Sequence, residues 1–159
     1  MSLFITVPAA AAMLGSALIG GIFFAFSNFI MKALGRVSAA EGINAMQSIN
    51  IVVLNRVFLG AFIGTAAISL LVIVLAVKGW SEPSSAWYLA GALLYTVGTF
   101  LVTVLGNVPL NDQLAAIAAT DSLAIRIWEH YRDRWTVLNT VRTIAAIAAA
   151  LSFIVGLIQ

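Results

Sequence analysis

The chain has no cysteine, which excludes disulfides, iron–sulfur ligation and thiolate catalysis. It has one histidine, His130, and six acidic residues, none of them at a paired spacing suited to general acid and base work. A single histidine without cysteine builds none of the usual zinc, non-haem iron or copper sites within one chain, so no metal and no cofactor is expected. Charge is scarce: Asp, Glu, Lys and Arg together make up 9% of the residues, about a third of the share in a soluble domain. The formal net charge is +2 and no basic run tracks phosphates, which argues against a nucleic-acid partner. There is also no phosphate-cradling glycine loop, dinucleotide fingerprint or Ser/His/Asp arrangement.

What fills the sequence is apolar. Hydrophobic residues make up 62% of it and the mean hydropathy is +1.07, so the expected partner is a lipid bilayer. The 159 residues suit one domain, and the reading is an all-α membrane protein, an antiparallel bundle of four transmembrane helices with short connections. The first span is placed at 8–31, free of charge, starting at Pro8, a favoured first-turn residue. Its length and lack of a positive n-region read as a retained helix, not a signal peptide. The second is 57–77, between Arg56 and Lys78, and the third 87–107, with Pro109 as its stop. The fourth is 139–158. From Thr143 to Gln159 there are only 17 residues, or about 25 Å of helix against a hydrocarbon core of about 30 Å. Arg142 therefore falls at or just inside the lipid boundary, where an ionised side chain must face protein or water.

The connections carry the polarity. Lys32, Arg36, Arg56, Arg126, Arg132, Arg134 and Arg142 fall on one side of this topology, and only Lys78 on the other. The positive-inside rule then puts the charged loops in the cytoplasm and both termini outside, as in a bacterial inner membrane. Ser38-Ala-Ala-Glu41 has the capping-box pattern, so a helix is expected to begin there and run through Asn50 and Asn55 into the second span. Asn111 is read as the cap of a short helix after Pro109, and Asp121 or Ser122 as the start of another leading into the fourth span. Helices two and four thus extend beyond the membrane on the cytoplasmic side. Val53-Leu54-Asn55-Arg56-Val57 and Val137-Leu138-Asn139-Thr140-Val141 form a faint internal repeat of the kind two parallel hairpins show. Small residues at Ala17, Gly21 and Ala25, Gly60 and Gly64, and Gly98 and Gly106 are read as close-packing surfaces between helices. A homo-oligomer is compatible with these faces.

One stripe invites a functional reading. Trp128, Tyr131, Trp135, Asn139 and Arg142 fall within about 80° of one helical face. Two indoles, a phenol, an amide and a guanidinium offer apolar walls for a flat molecule with donors further in. The bland alternative is an interfacial aromatic belt with a snorkelling arginine and an interhelical asparagine. His130 lies on the opposite face. Asn107 and Asn111 flank Pro109, and Asn50, Asn55 and Arg56 reach a comparable depth, so three helices bring amides and guanidinium groups to one level.

Gly21-Ile-Phe-Phe-Ala-Phe-Ser27, the run from Met46 to Asn55, Asn107-Val-Pro-Leu-Asn111, and the stripe from Trp128 to Arg142 together resemble the anthrone oxygenase-like family of small membrane proteins. Fungal members of that family oxidise polyketide anthrones to anthraquinones without metal or flavin. The resemblance implies a membrane monooxygenase acting with dioxygen on a flat lipophilic aromatic. Arg142, Asn139 and Asn107 would be its oxyanion donors, Trp128 and Trp135 its walls, and Tyr131 its base or relay. Asn50, Asn55, Arg56 and Asn111 would complete the substrate contacts. The same residues also suit a non-catalytic binding protein for quinone-like molecules, and the packing faces alone suit a structural subunit of a membrane complex.

Overall fold

A computed structural model describes residues 3–159, and the described residues form helices and turns only. Four helices are long and apolar enough to cross a membrane: α1 (Leu3–Leu34), α3 (Arg56–Lys78), α4 (Ser85–Ala115) and α5 (Ala124–Ile158). A shorter helix, α2 (Ala39–Val52), lies between α1 and α3. Leu70, Val74, Ile144 and Ile154 are among the many large apolar side chains that point outward, the pattern of a bundle solvated by lipid.

Helix α1 begins at Leu3, so Pro8 stands inside it and does not start it. Near a helix end a missing donor is tolerated, and the uncharged residues before it give the backbone every reason to stay helical in lipid. Pro109 likewise does not stop α4. The helix widens into π-helical turns at Leu94–Leu101 and Thr103–Asn107, where the Val108 N–H donates to the Thr103 carbonyl. A wide turn directly before proline relieves the clash of its ring with the preceding turn, and the chain runs on to Ala115. A third π-helical segment, Phe26–Ile30, lies in α1.

The continuous helix expected through Asn50 and Asn55 is broken. Its start is as read: Ser38 caps α2 in a full capping box with Glu41. The Ser38 hydroxyl and, less strongly, its backbone N–H hold the Glu41 carboxyl below its ordinary 4.5. The break comes at 53–55. The Asn55 amide donates to the Val52 carbonyl at 3.0 Å, and its oxygen accepts from Val57 and Phe58 N–H, each at 3.0 Å. One asparagine thus satisfies the end of α2 and the start of α3. Asp121 also differs from its expected role. Its carboxylate takes the Ala118 N–H at 2.9 Å within the turn, and α5 begins later, at Ala124.

Two buried clusters order the interior. One joins Ile19, Phe23, Phe62, Val72, Tyr88, Tyr95 and Phe153 along the bundle. The other, at the charged end, joins Met31, Ile43, Met46, Leu114, Trp128, Tyr131 and Trp135 under α2. Gln47 of α2 donates to the Leu114 and Ile117 carbonyls at 2.8 and 3.0 Å, satisfying the last turn of α4 and fixing α2 as a cover over that end.

The glycines divide differently from their spacing. Gly98 and Gly106 do lie in close contacts, facing Ala145 and Leu138, but Gly21, Gly60 and Gly64 have nothing within 4 Å of an added Cβ. Small-residue spacing marks a face without saying whether that face turns inward. Gly98→Ala is therefore expected to be destabilising by about 1–3 kcal/mol, because the new methyl would sit 2.6 Å from the Ala145 Cβ, which is fixed to its backbone. Gly64→Ala should be neutral or stabilising by up to about 1 kcal/mol. Thermal unfolding of the two variants in one detergent checks the pair, and equal melting temperatures would contradict the packing of α4 on α5.

Candidate functional site

All five stripe residues of α5 are buried, but they divide between two jobs. Trp128, Tyr131 and Trp135 form a ladder of rings, with centroids 5.8 Å apart for the first pair and 6.3 Å for the second. Trp128 ends this ladder under α2, where its indole fills the space at Gly42. Trp135 ends it at a cavity of about 240 Å³, which it lines together with Arg142. The lining includes Phe23 and Phe26 of α1, Met46 and Asn50 of α2, Phe58 and Phe62 of α3, and Phe100, Thr103 and Asn111 of α4. The volume lies just below the usual range for small-molecule sites, about 300–1,000 Å³, which suits a flat ligand of a few rings.

Arg142 is the one ionisable side chain in this lining, and it is 5% exposed. Its guanidinium carbon lies 3.8 Å from the centroid of Phe23 and 4.9 Å from that of Trp135, so two aromatic faces share the cation. Nε donates to Asn139 Oδ1 at 3.0 Å and Nη1 to Thr103 Oγ1 at 3.2 Å. Among the described residues Nη2 donates to nothing, and the one ion pair is Arg132 with Asp133. Arg142 is thus a desolvated cation without a protein anion. Such a group costs several kcal/mol, and in membrane proteins it marks a functional position more often than a structural one.

Asn139 does not face the cavity. Its amide donates to the Phe23 carbonyl at 2.7 Å and to Ser27 Oγ at 2.6 Å, while its oxygen holds Arg142. With both donors engaged in joining α1 to α5, it positions the arginine and has no N–H left for a ligand. Asn107 is equally withdrawn, spanning α4 and α5 through a 3.2 Å bond to the Trp135 carbonyl. Asn111 does reach the cavity. Its oxygen accepts from the Tyr131 hydroxyl and from Trp135 Nε1, both at 2.9 Å, which leaves its amide N–H groups for the opening. Tyr131 sits behind it, and its hydroxyl proton is engaged by Asn111. Asn50 lines the same space, with a buried amide nitrogen that has no hydrogen-bond partner among the described residues. Asn55 and Arg56 are exposed at the start of α3, outside the cavity. His130 is exposed as well.

The phenylalanines escaped the sequence reading. Phe23 with Phe26 and Phe58 with Phe62 follow helical spacing, but in so apolar a chain the same spacing describes a lipid-facing surface. The π-helical turn at Phe26–Ile30 helps turn Phe26 toward Trp135, their centroids 5.6 Å apart, while Ser27 meets Asn139.

The cavity has a side entrance. Helices α3 and α4 pack together along Ser85–Leu101, whereas Thr103–Ala115 has at most marginal contact with α3. Leu54, Ile63, Val104 and Val108 line the cavity and are also 64%, 51%, 42% and 41% exposed. The wedge between the two helices therefore opens laterally, at apolar lips, toward the region that lipid would occupy.

No curated protein and no solved structure matches the chain. A family model described as anthrone oxygenase matches residues 54–152. That stretch holds α3, α4 and most of α5, with Arg142, Asn139, Trp135 and Asn111. The similar runs at 21–27 and 46–53 lie outside it. On this match, which covers more than half of its residues, the chain belongs to the anthrone oxygenase family.

Proposed function

We propose that the protein is a membrane oxygenase that takes a flat lipophilic aromatic substrate of the anthrone type from the bilayer and oxidises it with dioxygen. The carrying observation is Arg142, a buried cation that lines an aromatic cavity and whose Nη2 has no partner among the described residues. The protein would lie as an antiparallel bundle with its charged loops in the cytoplasm and both termini outside, the orientation the lysines and arginines favour.

The chemistry follows from that cation. An anthrone that loses a ring-methylene proton places negative charge on its carbonyl oxygen. Pairing this oxyanion with Arg142 Nη2, supported by the Asn111 amide, stabilises the enolate in a site of low dielectric. No carboxylate or imidazole lines the cavity, so the proton passes to water and Arg142 provides the acidity. The enolate gives one electron to dioxygen, the radical pair combines at the former methylene carbon, the resulting peroxide anion takes a proton back from water, and loss of water from the hydroperoxide leaves the quinone carbonyl. One dioxygen is consumed: one atom enters the product and the other leaves as water. Phe23, Phe62 and Trp135 hold the rings flat throughout.

Purified protein incubated with anthrone under air should consume one dioxygen per anthraquinone formed, faster than detergent micelles alone. A rate equal to the blank, with the protein's tryptophan fluorescence still quenched on adding the ligand, and less so in Trp135→Phe, would replace the oxygenase with a non-catalytic binding protein. A blank rate without quenching would remove both readings.

A further inference from the structure

A second hollow, unrelated to the aromatic cavity, lies on the outer side of the charged end. It measures about 620 Å³ and sits between the end of α1, with the turn that follows it, and the first half of α5. Its polar lining is Ser27, Lys32, Arg36, Arg132, Asp133 and Thr136. Lys32 and Arg36 are one helical turn apart and have no ion pair among the described residues. The Arg132 guanidinium arrives from α5 and packs on Gly35, where an added Cβ would lie 2.9 Å from Nη1. Asp133 lies 3.5 Å from Arg132 Nε, so two of the three positive charges remain uncompensated.

Neither lining hydroxyl is open to a ligand, so recognition falls to the cations. Ser27 accepts from Asn139, and Thr140, 2.9 Å away, already donates to the Thr136 carbonyl; Ser27 therefore donates to Thr140 and is fully engaged. Thr136 Oγ1 has no hydrogen-bond partner among the described residues, but it is buried and does not open into the hollow. Below the hollow, toward the middle of the bundle, Phe24 of α1 and Val137, Val141 and Ile144 of α5 are exposed. A cationic concavity directly above an apolar helix surface matches an amphiphile whose head is anionic and whose tails lie in lipid.

We propose that this hollow binds the phosphate headgroup of an anionic membrane lipid, held by the charges of Lys32, Arg36 and Arg132. Its acyl chains lie along the outward face of α1 and α5. This assignment does not depend on the oxygen chemistry.

The test is retention of phosphatidylglycerol against phosphatidylcholine with matched acyl chains, counted by native mass spectrometry of the detergent-solubilised protein. The expected preference for phosphatidylglycerol is about thirtyfold, or about fivefold per uncompensated cation. The combined Lys32→Gln, Arg36→Gln and Arg132→Gln variant should bind the two lipids equally at an unchanged melting temperature, and Arg36→Gln alone should lose about fivefold. Arg126→Gln with Arg134→Gln, exposed at the same end but outside the hollow, should leave the preference intact. Equal binding of both lipids by the unmodified protein overturns the proposal. So does an equal loss in the Arg126 and Arg134 control, which would show that surface charge in general attracts the lipid. Displacement of the lipid by millimolar inorganic phosphate would replace it with a free anion site.

Discussion

Arg142→Met is expected to slow anthrone oxidation by about 100-fold or more, the scale of one lost oxyanion donor, while leaving the melting temperature close to that of the unmodified protein. The two halves of this result rest on opposite terms. Removing the guanidinium relieves a desolvation cost of several kcal/mol, and methionine refills the space between Phe23 and Trp135 with a polarisable chain. Against this, Asn139 Oδ1 loses its partner, at about 1–3 kcal/mol, and about 2 kcal/mol of cation–π attraction goes. Thr103 remains satisfied because its hydroxyl donates to the Thr99 carbonyl at 2.7 Å. The sum is near zero, so a large loss of rate without a loss of stability would mark a group kept for function. Arg142→Lys sharpens the comparison. The three ammonium donors radiate from one nitrogen and lack the span of the planar fork, so lysine serves Asn139, Thr103 and a substrate oxyanion less well and its rate should fall between the two. A collapse in stability in Arg142→Met with the rate of the surviving fraction unchanged would sink the assignment. Initial rates normalised to folded protein, beside a thermal melt, separate these outcomes.

The parts of this arrangement that sequence made legible share a physical origin. A charge-free interval such as Val57–Val77 between Arg56 and Lys78 has one stable environment, so the crossing helices could be read directly. The α5 stripe was legible for the same reason: over fourteen residues a regular α-helix keeps Trp128 and Arg142 on one face, and all five members are buried together. Where the backbone departs from that period, the reading failed. The π-helical turns in α4 carry the helix past Pro109 and change which face Asn111 presents. An unbroken helix through Asn55 would carry its amide to the depth of Arg142, which is why sequence offers it as a substrate contact; the helix breaks there, and at that exposed position the side chain bonds the backbone on both sides. The repeat that paired Asn55 with Asn139 likewise joins an exposed cap to a fully buried interhelical link. Which amide faced the opening was decided by tertiary hydrogen bonds that no local pattern records.

Asn139→Leu tests that hidden layer, and both its stability and its rate should fall. The substitution keeps side-chain volume roughly constant but removes the bonds to the Phe23 carbonyl and Ser27 Oγ. Interhelical hydrogen bonds in membranes average about 0.6 kcal/mol with a maximum near 1.7, so these two alone account for roughly 1–3 kcal/mol. The Arg142 Nε–H is then left unbonded in a buried place, and a charged donor without a partner adds roughly 1.5–3 kcal/mol. The expected total, about 3–6 kcal/mol, exceeds that for Arg142→Met although the asparagine is uncharged, because Asn139→Leu removes the ties between α1 and α5 and strands a charged donor, whereas Arg142→Met removes the buried charge itself. The double variant Asn139→Leu with Arg142→Met decides whether this account is right. Once the arginine is gone its unpaired Nε costs nothing, so the double variant should be more stable than Asn139→Leu alone by roughly the charged-donor share. If the two losses simply add in thermal or denaturant unfolding, Asn139 does not position Arg142, and the aim of the guanidinium must come from Thr103 and the aromatic pair.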